Sequence, residues 1–275
     1  MNQPNPKRID KPIFSAIAQL TKSERQFLRS LRQKKYRYLH KKFLIEGLKP
    51  VLEAIDAGFP VEKIYVSNNF FNKLSVLDLE TLKSQNKKLQ CVDTADIHSI
   101  STLSTPEGIV ALGYISRAQF SLDDLALYPA VYLYETNDPG NLGAILRTAR
   151  WFGIKSVILS PNSVDLFSPK VVRSSMGAHF AVSCYQNVLF DDLKKYSVRH
   201  GIPILAADIS GAAPDKAQTN RWILALGSET HGLPEDIINN ATSVIGIPRH
   251  GSGESLNLSV SAGILLYRLT DSGKV

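Results

Sequence analysis

Apolar positions recur along the chain at two periods. Phe27, Leu28 and Leu31 sit at helical spacing behind Ser23, which predicts a helix from Ser23 to Leu31 with Ser23 as its cap. FLIEG (43–47) predicts a short buried strand and LKPVLEAIDAG (48–58) a helix closed by Gly58. EKIYVS (62–67) predicts a second strand. A helix over Ser75 to Lys83 and strands at LQCV (89–92) and GIVALGYI (108–115) complete a small α/β unit. SRAQFSLDDLALYP (116–129) has no clear period and ends in Pro129, so it is expected to be a linker. Beyond it, AVYLYE, KSVILS, PILAAD and RWILALG are apolar runs between helix-like stretches, as in a parallel sheet covered on both faces. The expected fold class is therefore α/β, divided into a basic segment 1–42, a small domain 43–115, the linker 116–129 and a larger domain 130–275.

Charge sharpens the first boundary. The chain of 275 residues carries 32 Lys and Arg against 25 Asp and Glu, a net +7. The first 42 residues hold twelve basic and two acidic side chains, or +10, which leaves −3 for everything after them. Such a segment suits an anionic partner. Arg32, Lys34, Lys35, Arg37 and Lys41 are its expected phosphate contacts, with Tyr36 and Tyr38 available to stack on unpaired bases; a solvated helix face is the plainer alternative. No apolar run approaches the ~20 residues of a membrane span and the start lacks a signal-like stretch, so a cytoplasmic protein is expected. Cys91 and Cys184 lack metal-ligand spacing and are expected to be ordinary core thiols; no metal is expected.

Three segments follow strands of the larger domain, where open α/β sheets bind ligands. In TNDPGNLGAILRTARWFG (136–153), Asn141 is expected to cap a helix with Leu142, Ile145, Leu146, Ala149 and Phe152 on its core face. Arg147 lies off that face and is expected to lean over the bare turn at Gly143 and Ala144, leaving room for an anion. In LALGSETHGLP (224–234), Gly227 ends a strand, Glu229 follows, and Gly232 and Pro234 turn the chain. IGIPRHGSGESLNLSVSAGILLYRL (245–269) leads through Ser255 and Asn257 into a helix with Leu258, Ala262, Leu265, Leu266 and Leu269 on one face. Taken singly, each segment also reads as a plain turn or cap. GxGxxG, GxxxxGK[ST], HExxH and GxSxG are absent, which leaves dinucleotide, P-loop, zinc-protease and α/β-hydrolase readings without a motif.

In order, the three segments resemble the motifs of the SpoU (TrmH-like) RNA ribose 2′-O-methyltransferases of the SPOUT superfamily. FLIEGLKPVLEA and TPEGIVAL resemble that family's N-terminal, L30e-like substrate domain, and VRSSMGAHF (172–180) another family segment. The resemblance implies a C-terminal α/β domain tied in a deep trefoil knot, a homodimer, and methyl transfer from S-adenosylmethionine to a ribose 2′-hydroxyl. Ribosomal RNA, 23S in particular, stands ahead of transfer RNA as substrate, and a non-catalytic RNA-binding or ribosome-assembly factor is the rival. By position, the resemblance implies cofactor contacts at Gly227, Ile247 and Leu256. Its catalytic set is Asn141, Arg147, Glu229, Ser255 and Asn257. Arg249, His250 and Ser261 depart from the family's usual residues, away from that set.

Overall fold

A computed structural model of the chain describes residues 18–85, 88–115, 129–214 and 221–270. The expected linker, apart from Pro129, lies outside them, as do Lys7, Arg8 and Lys11.

The first helix, α1 (Lys22–Ser30), starts one residue earlier than expected and is capped by Thr21 rather than Ser23. Thr21 and Glu24 form a capping box: the threonine hydroxyl accepts from the Glu24 amide while the Glu24 carboxylate accepts from the Thr21 amide. Next come α2 (Lys34–His40), β1 (Lys42–Glu46), α3 (Leu48–Asp56), β2 (Val61–Ser67), α4 (Asn68–Phe71) and α5 (Val76–Ser84). The unit closes with β3 (Leu89–Val92), α6 (Thr94–Ile100) and β4 (Ile109–Tyr114). The sheet runs β1-β4-β2-β3, with only β2 and β3 parallel.

The second unit holds β5 (Ala130–Leu133), α7 (Pro139–Trp151), β6 (Ser156–Leu159), α8 (Pro169–Ser174), β7 (Ser183–Tyr185), α9 (Phe190–His200) and β8 (Ile204–Ala212). It ends with β9 (Ile223–Leu226), α10 (Glu235–Asn239), β10 (Ser243–Ile245) and α11 (Leu258–Thr270). Its sheet order is β10-β8-β9-β5-β6-β7, every pair parallel. The first three strands in sequence build outward from β5 on one side. The chain then returns to build on the other, so the ends of β5 and β9 flank the switch point.

Two features depart from the domain plan expected from sequence. The basic helices are not a separate extension: Leu20, Leu28 and Leu31 are buried with Tyr65, Val92, Ile97 and Ile100 of the first unit. Nor do the two units have separate cores, because one buried cluster runs from Phe43, Ile45 and Val66 to Val131, Leu133 and Leu146. The seam is polar as well as apolar. Arg37, expected on RNA, is 3% exposed and pairs with Asp165, its Nε donating at 3.0 Å, while Nη1 donates to the carbonyls of Leu31 and Arg32. Tyr38, expected to stack on bases, is half-buried and donates its hydroxyl to the other Asp165 oxygen at 2.8 Å. Arg32 spends its guanidinium on the carbonyls of Ser99 and Ser101. Across the same seam Arg173 donates to Thr102 Oγ1 at 2.8 Å beside the buried Glu46, and Arg150 pairs with Glu53 at 2.6 Å. Both cysteines are tucked in, and burial raises their thiols above the ordinary value. No helix of the described residues is long and apolar enough to cross a membrane, and no cluster of metal-ligating side chains occurs among them.

His179 is packed among Phe43, Phe167 and Phe180 in this seam, and its Nδ1 has no hydrogen-bond partner. Burial lowers it to about 4, with the Asp165 charge acting in the opposite direction. A depressed histidine is neutral when folded, so between its usual 6.5 and about 4 the unfolded chain binds the extra proton. Stability is complete above that window and falls as pH drops through it, by about 3 kcal/mol in all. Urea denaturation at stepped pH should show this loss in the wild type and a flatter curve in His179→Phe. Equal slopes for the two proteins contradict it.

Candidate active site

Three loops leave the carboxyl ends of β5, β9 and β10 and meet. The first enters α7 through Asp138, whose Oδ1 accepts from the Asn141 amide at 2.8 Å, with Pro139 at the first helical position. Asn141 is therefore not the cap. Standing in the first turn, its side chain is free to turn into the site. Its Nδ2 donates to Glu229 Oε1 at 2.9 Å, and its Oδ1 accepts from Asn257 Nδ2 at 2.9 Å. Glu229 also accepts from the amides of Asn137 and Asp138, at 3.3 and 3.4 Å. At the other end, Asn257 Oδ1 accepts from the amide and hydroxyl of Ser259, at 2.9 and 2.6 Å, and so caps α11. These bonds fix the sense of both amides. The Asn257 oxygen is committed to N–H donors, so its NH2 faces Asn141; Asn141 must answer with its oxygen and turn its own NH2 to Glu229. A one-way chain of donors runs from α11 through α7 to a carboxylate on the β9 loop.

Backbone is packed tightly beside these loops, within the β9 loop itself and between the start of the β10 loop and β8. A Cβ at Gly227 would lie 2.0 Å from the carbonyl carbon of Gly232, and one at Gly246 2.6 Å from the Asp208 oxygen. No side chain fits at either place, and Ser228 and Gly232 close the β9 loop with two mutual backbone bonds. Around this contact lies an open cleft of about 800 Å³. Leu226, Ile245, Ile247, Leu258 and Leu265 supply its apolar lining, and Asp208, Glu229 and Glu254 its carboxylates. Gly227, Ile247, Leu256, Ser255, Asn257 and Glu229, all singled out from sequence, line it. Asp208 and Ile209 also line it and were missed. Asp208 closes the apolar run PILAAD and Ile209 follows it; the exit of that strand, like that of KSVILS, was given no role. Leu256 and Ile209 are 51% and 64% exposed, apolar flanks that a planar apolar ligand would cover.

Two expected residues stand apart. Arg147 is exposed on α7, forms no hydrogen bond or ion pair with the described residues, and is absent from the cleft lining. The open space expected beside it at Gly143 is filled: a Cβ there would meet Ser174 Oγ at 1.9 Å, because α8 presses against α7 at that point. Gly143 serves helix packing, not ligand access. Ser255 lines the cleft but makes no hydrogen bond to the Asn257–Asn141–Glu229 chain.

Residues 129–267 match the SpoU rRNA Methylase family, and residues 24–111 the MRM3-like substrate binding domain. The chain belongs to the SpoU family. Among its SpoU relatives is the 23S rRNA (guanosine(2553)-2′-O)-methyltransferase RlmP of Bacillus subtilis, 29% identical over 88% of this chain and 93% of that protein. Mitochondrial rRNA methyltransferase 3A of Danio rerio is 30% identical over 86% of this chain; the match spans only 65% of that longer protein. An AdoMet-bound rRNA methyltransferase from Sinorhizobium meliloti superposes with a TM-score of 0.78 at 26% identity, covering 92% of this chain and 97% of that one. A TrmH-family protein from Porphyromonas gingivalis gives 0.77 at 33% identity, covering 91% and 98%. The substrate-domain match begins at residue 24, in agreement with the packing of α1 and α2 into that domain.

The two duties of Asn257 separate by substitution. Asn257→Ala loses the cap of α11, at a cost of about 1 kcal/mol in urea denaturation, and methyl transfer with it. Asn257→Asp keeps an oxygen for the helix amides but has no NH2 for Asn141, so stability is expected to return without turnover. Full activity in Asn257→Asp shows that the residue only caps.

Proposed function

We propose that the protein transfers a methyl group from S-adenosylmethionine to a ribose 2′-hydroxyl of ribosomal RNA in the cytoplasm. The observation that carries this is the convergence of the three SpoU loops on one cleft, ended by a directed chain of polar side chains and joined to a substrate-binding domain. The cleft fits the cofactor. Its apolar lining suits an adenine ring, its bare loops offer backbone groups to the rest, and its carboxylates suit a sulfonium cation. Bound there, S-adenosylmethionine supplies an electrophilic methyl group. The protein's share is orientation and charge. Holding a hydroxyl in line is worth up to ~7–11 kcal/mol of barrier, and the fixed amides of Asn141 and Asn257 with Ser255 are the groups that do so. As the O–CH3 bond forms, the methyl–sulfur bond would break to leave a neutral thioether, and the 2′-oxygen loses its proton. Arg147 is no base, since a guanidinium holds its protons too tightly near neutral pH; it grips the adjoining phosphate and steadies the developing alkoxide, and a phosphate oxygen or polar neighbour accepts the proton. The close packing of the 208–211 backbone against 245–246 is compatible with the knot expected of the family.

Arg147 reaches such a site in a homodimer. Val260, Ile264 and Tyr267 project from α11 at i, i+4 and i+7, 49%, 38% and 56% exposed, and Trp151 of the adjacent α7 is 85% exposed. A second copy covers this apolar face through a two-fold axis and brings its Arg147 to the cleft, which this chain's own Arg147 does not line.

Purified protein incubated with labelled S-adenosylmethionine and ribosomal RNA should label ribose oxygen. Label on bases, or cofactor binding by calorimetry with no RNA labelled, refutes the reading; the second result favours a non-catalytic RNA-binding factor. Arg147→Ala is expected to abolish turnover with cofactor affinity kept, and equal loss of both contradicts its role. Ile264→Glu should sediment as an inactive monomer, and a dimeric, active Ile264→Glu protein excludes this face as the interface.

A further inference from the structure

We propose that the outward face of α2 is a stacking platform for unpaired nucleotides of the RNA substrate. This rests on the reading of the protein as an RNA methyltransferase and assigns it a specific grip. With Arg37 and Tyr38 turned inward onto Asp165, the opposite side of α2 presents Lys35, Leu39 and His40 to solvent, with Tyr36 half-buried beside them. Tyr36 and His40 lie in nearly parallel planes, 14° apart with centroids at 6.3 Å, and His40 meets the Phe27 ring edge-on at 5.1 Å. Lys42 continues the path, lying 5.7 Å from the Phe27 centroid and 5.4 Å from that of Tyr114. Leu39, in the middle of the face, is 65% exposed.

Two properties select single-stranded RNA as the occupant. Aromatic faces set among cations match bases strung on phosphates, because a ring takes a base face of any sequence while an ammonium takes the backbone. The cations are also free of carboxylates: Lys34, Lys35 and Lys41 form no salt bridge among the described residues, with Lys34 and Lys35 set 6.0 and 5.9 Å from the Tyr38 and Tyr36 ring centroids, whereas Lys42 and Lys63 are held by Glu62 and Glu24. A duplex buries its base faces and offers only its backbone, so it cannot use the rings. The platform is also pre-ordered. The residues that anchor α2 point into the domain seam, so the helix presents this face with its backbone already fixed against the catalytic domain.

Binding of the full-length protein to a fluorescent 12-nucleotide single-stranded RNA, and to a hairpin of equal charge, tests this by anisotropy. Tyr36→Ala with His40→Ala is expected to weaken single-strand binding about tenfold or more, change hairpin binding little, and leave its salt slope unaltered. Lys35→Gln with Lys41→Gln should flatten the single-strand salt slope by about 1.4, for two phosphates released. Tyr36→Phe should retain affinity, which a loss of packing alone does not distinguish from wild type but a lost stack does. Leu39→Glu, a change at an exposed position that leaves the core intact, sets a carboxylate among the phosphates and is expected to weaken both ligands. If the ring variant and Leu39→Glu bind single strands like the wild type, the platform is refuted. Equal losses for strand and hairpin in the Tyr36→Ala, His40→Ala variant refute stacking in favour of charge alone, and binding of an acidic protein with neither RNA refutes the choice of partner. Steady-state methylation separates this from the parent reading. A raised KM for RNA with kcat kept supports both; unchanged KM with robust methylation sinks only the platform; ring-dependent RNA binding without methylation by any variant or wild type sinks only the methyltransferase.

Discussion

One carboxylate holds the molecule in register. Asp165 is buried where the two units meet, and an uncompensated charge there costs several kcal/mol, far more than an exposed ion pair returns. It is compensated from the other unit, by the Arg37 guanidinium and the Tyr38 hydroxyl, so the charge is stable only while α2 is docked. The Arg150–Glu53 pair, with its arginine well exposed, adds little by comparison. Around Asp165 the Phe43, Phe167 and His179 rings close the seam against water, which strengthens the ion pair and leaves His179 neutral. Four residues downstream α8 begins, and through Ser174 it bears on Gly143 of α7, the helix that carries Asn141 and Arg147.

The site inherits that rigidity. Its three loops are joined by side-chain hydrogen bonds, glycines let the backbone beside them pack without slack, and its amides have their sense fixed by a helix cap at one end and a carboxylate at the other. An active site assembled this way needs little reorganisation when substrate arrives, which is the condition under which fixed dipoles contribute most to a reaction. It also explains why so much of the cleft is glycine and backbone. Side chains that projected into it would have to be ordered separately.

Most of the fold could be read from the chain, because period and punctuation are local properties. The strands at FLIEG and RWILALG, the helix over 258–270 with its five buried positions, and the turn at Gly58 follow from residues within a few places of one another. Errors arose where two local signals competed or a distant partner decided. Ser23 and Asn141 were each plausible caps, but Thr21 has Glu24 three residues on and Asp138 has Pro139 behind it, and these neighbours settle the choice. Arg37 looked like its basic neighbours because the residue that claims it, Asp165, lies 128 positions away. Gly143 looked like room for a ligand for the same reason, Ser174 being invisible at that distance in sequence. Family resemblance singled out Asn141, Glu229 and Asn257, which the structure joins by hydrogen bonds, along with Arg147 and Ser255, which it does not. The direction of those hydrogen bonds was not legible, since it depends on all three loops at once.

The shared core has a consequence for how such proteins diversify. A chain whose two units had separate cores could exchange its RNA-reading unit for a relative's by simple recombination at the linker. Here a foreign unit would arrive without Arg37, Tyr38, Glu46 and Glu53 and would strand Asp165, Arg173 and Arg150 on the surface it was meant to cover. Change of target in this architecture must therefore proceed by substitution on the outer surfaces, with the seam inherited whole.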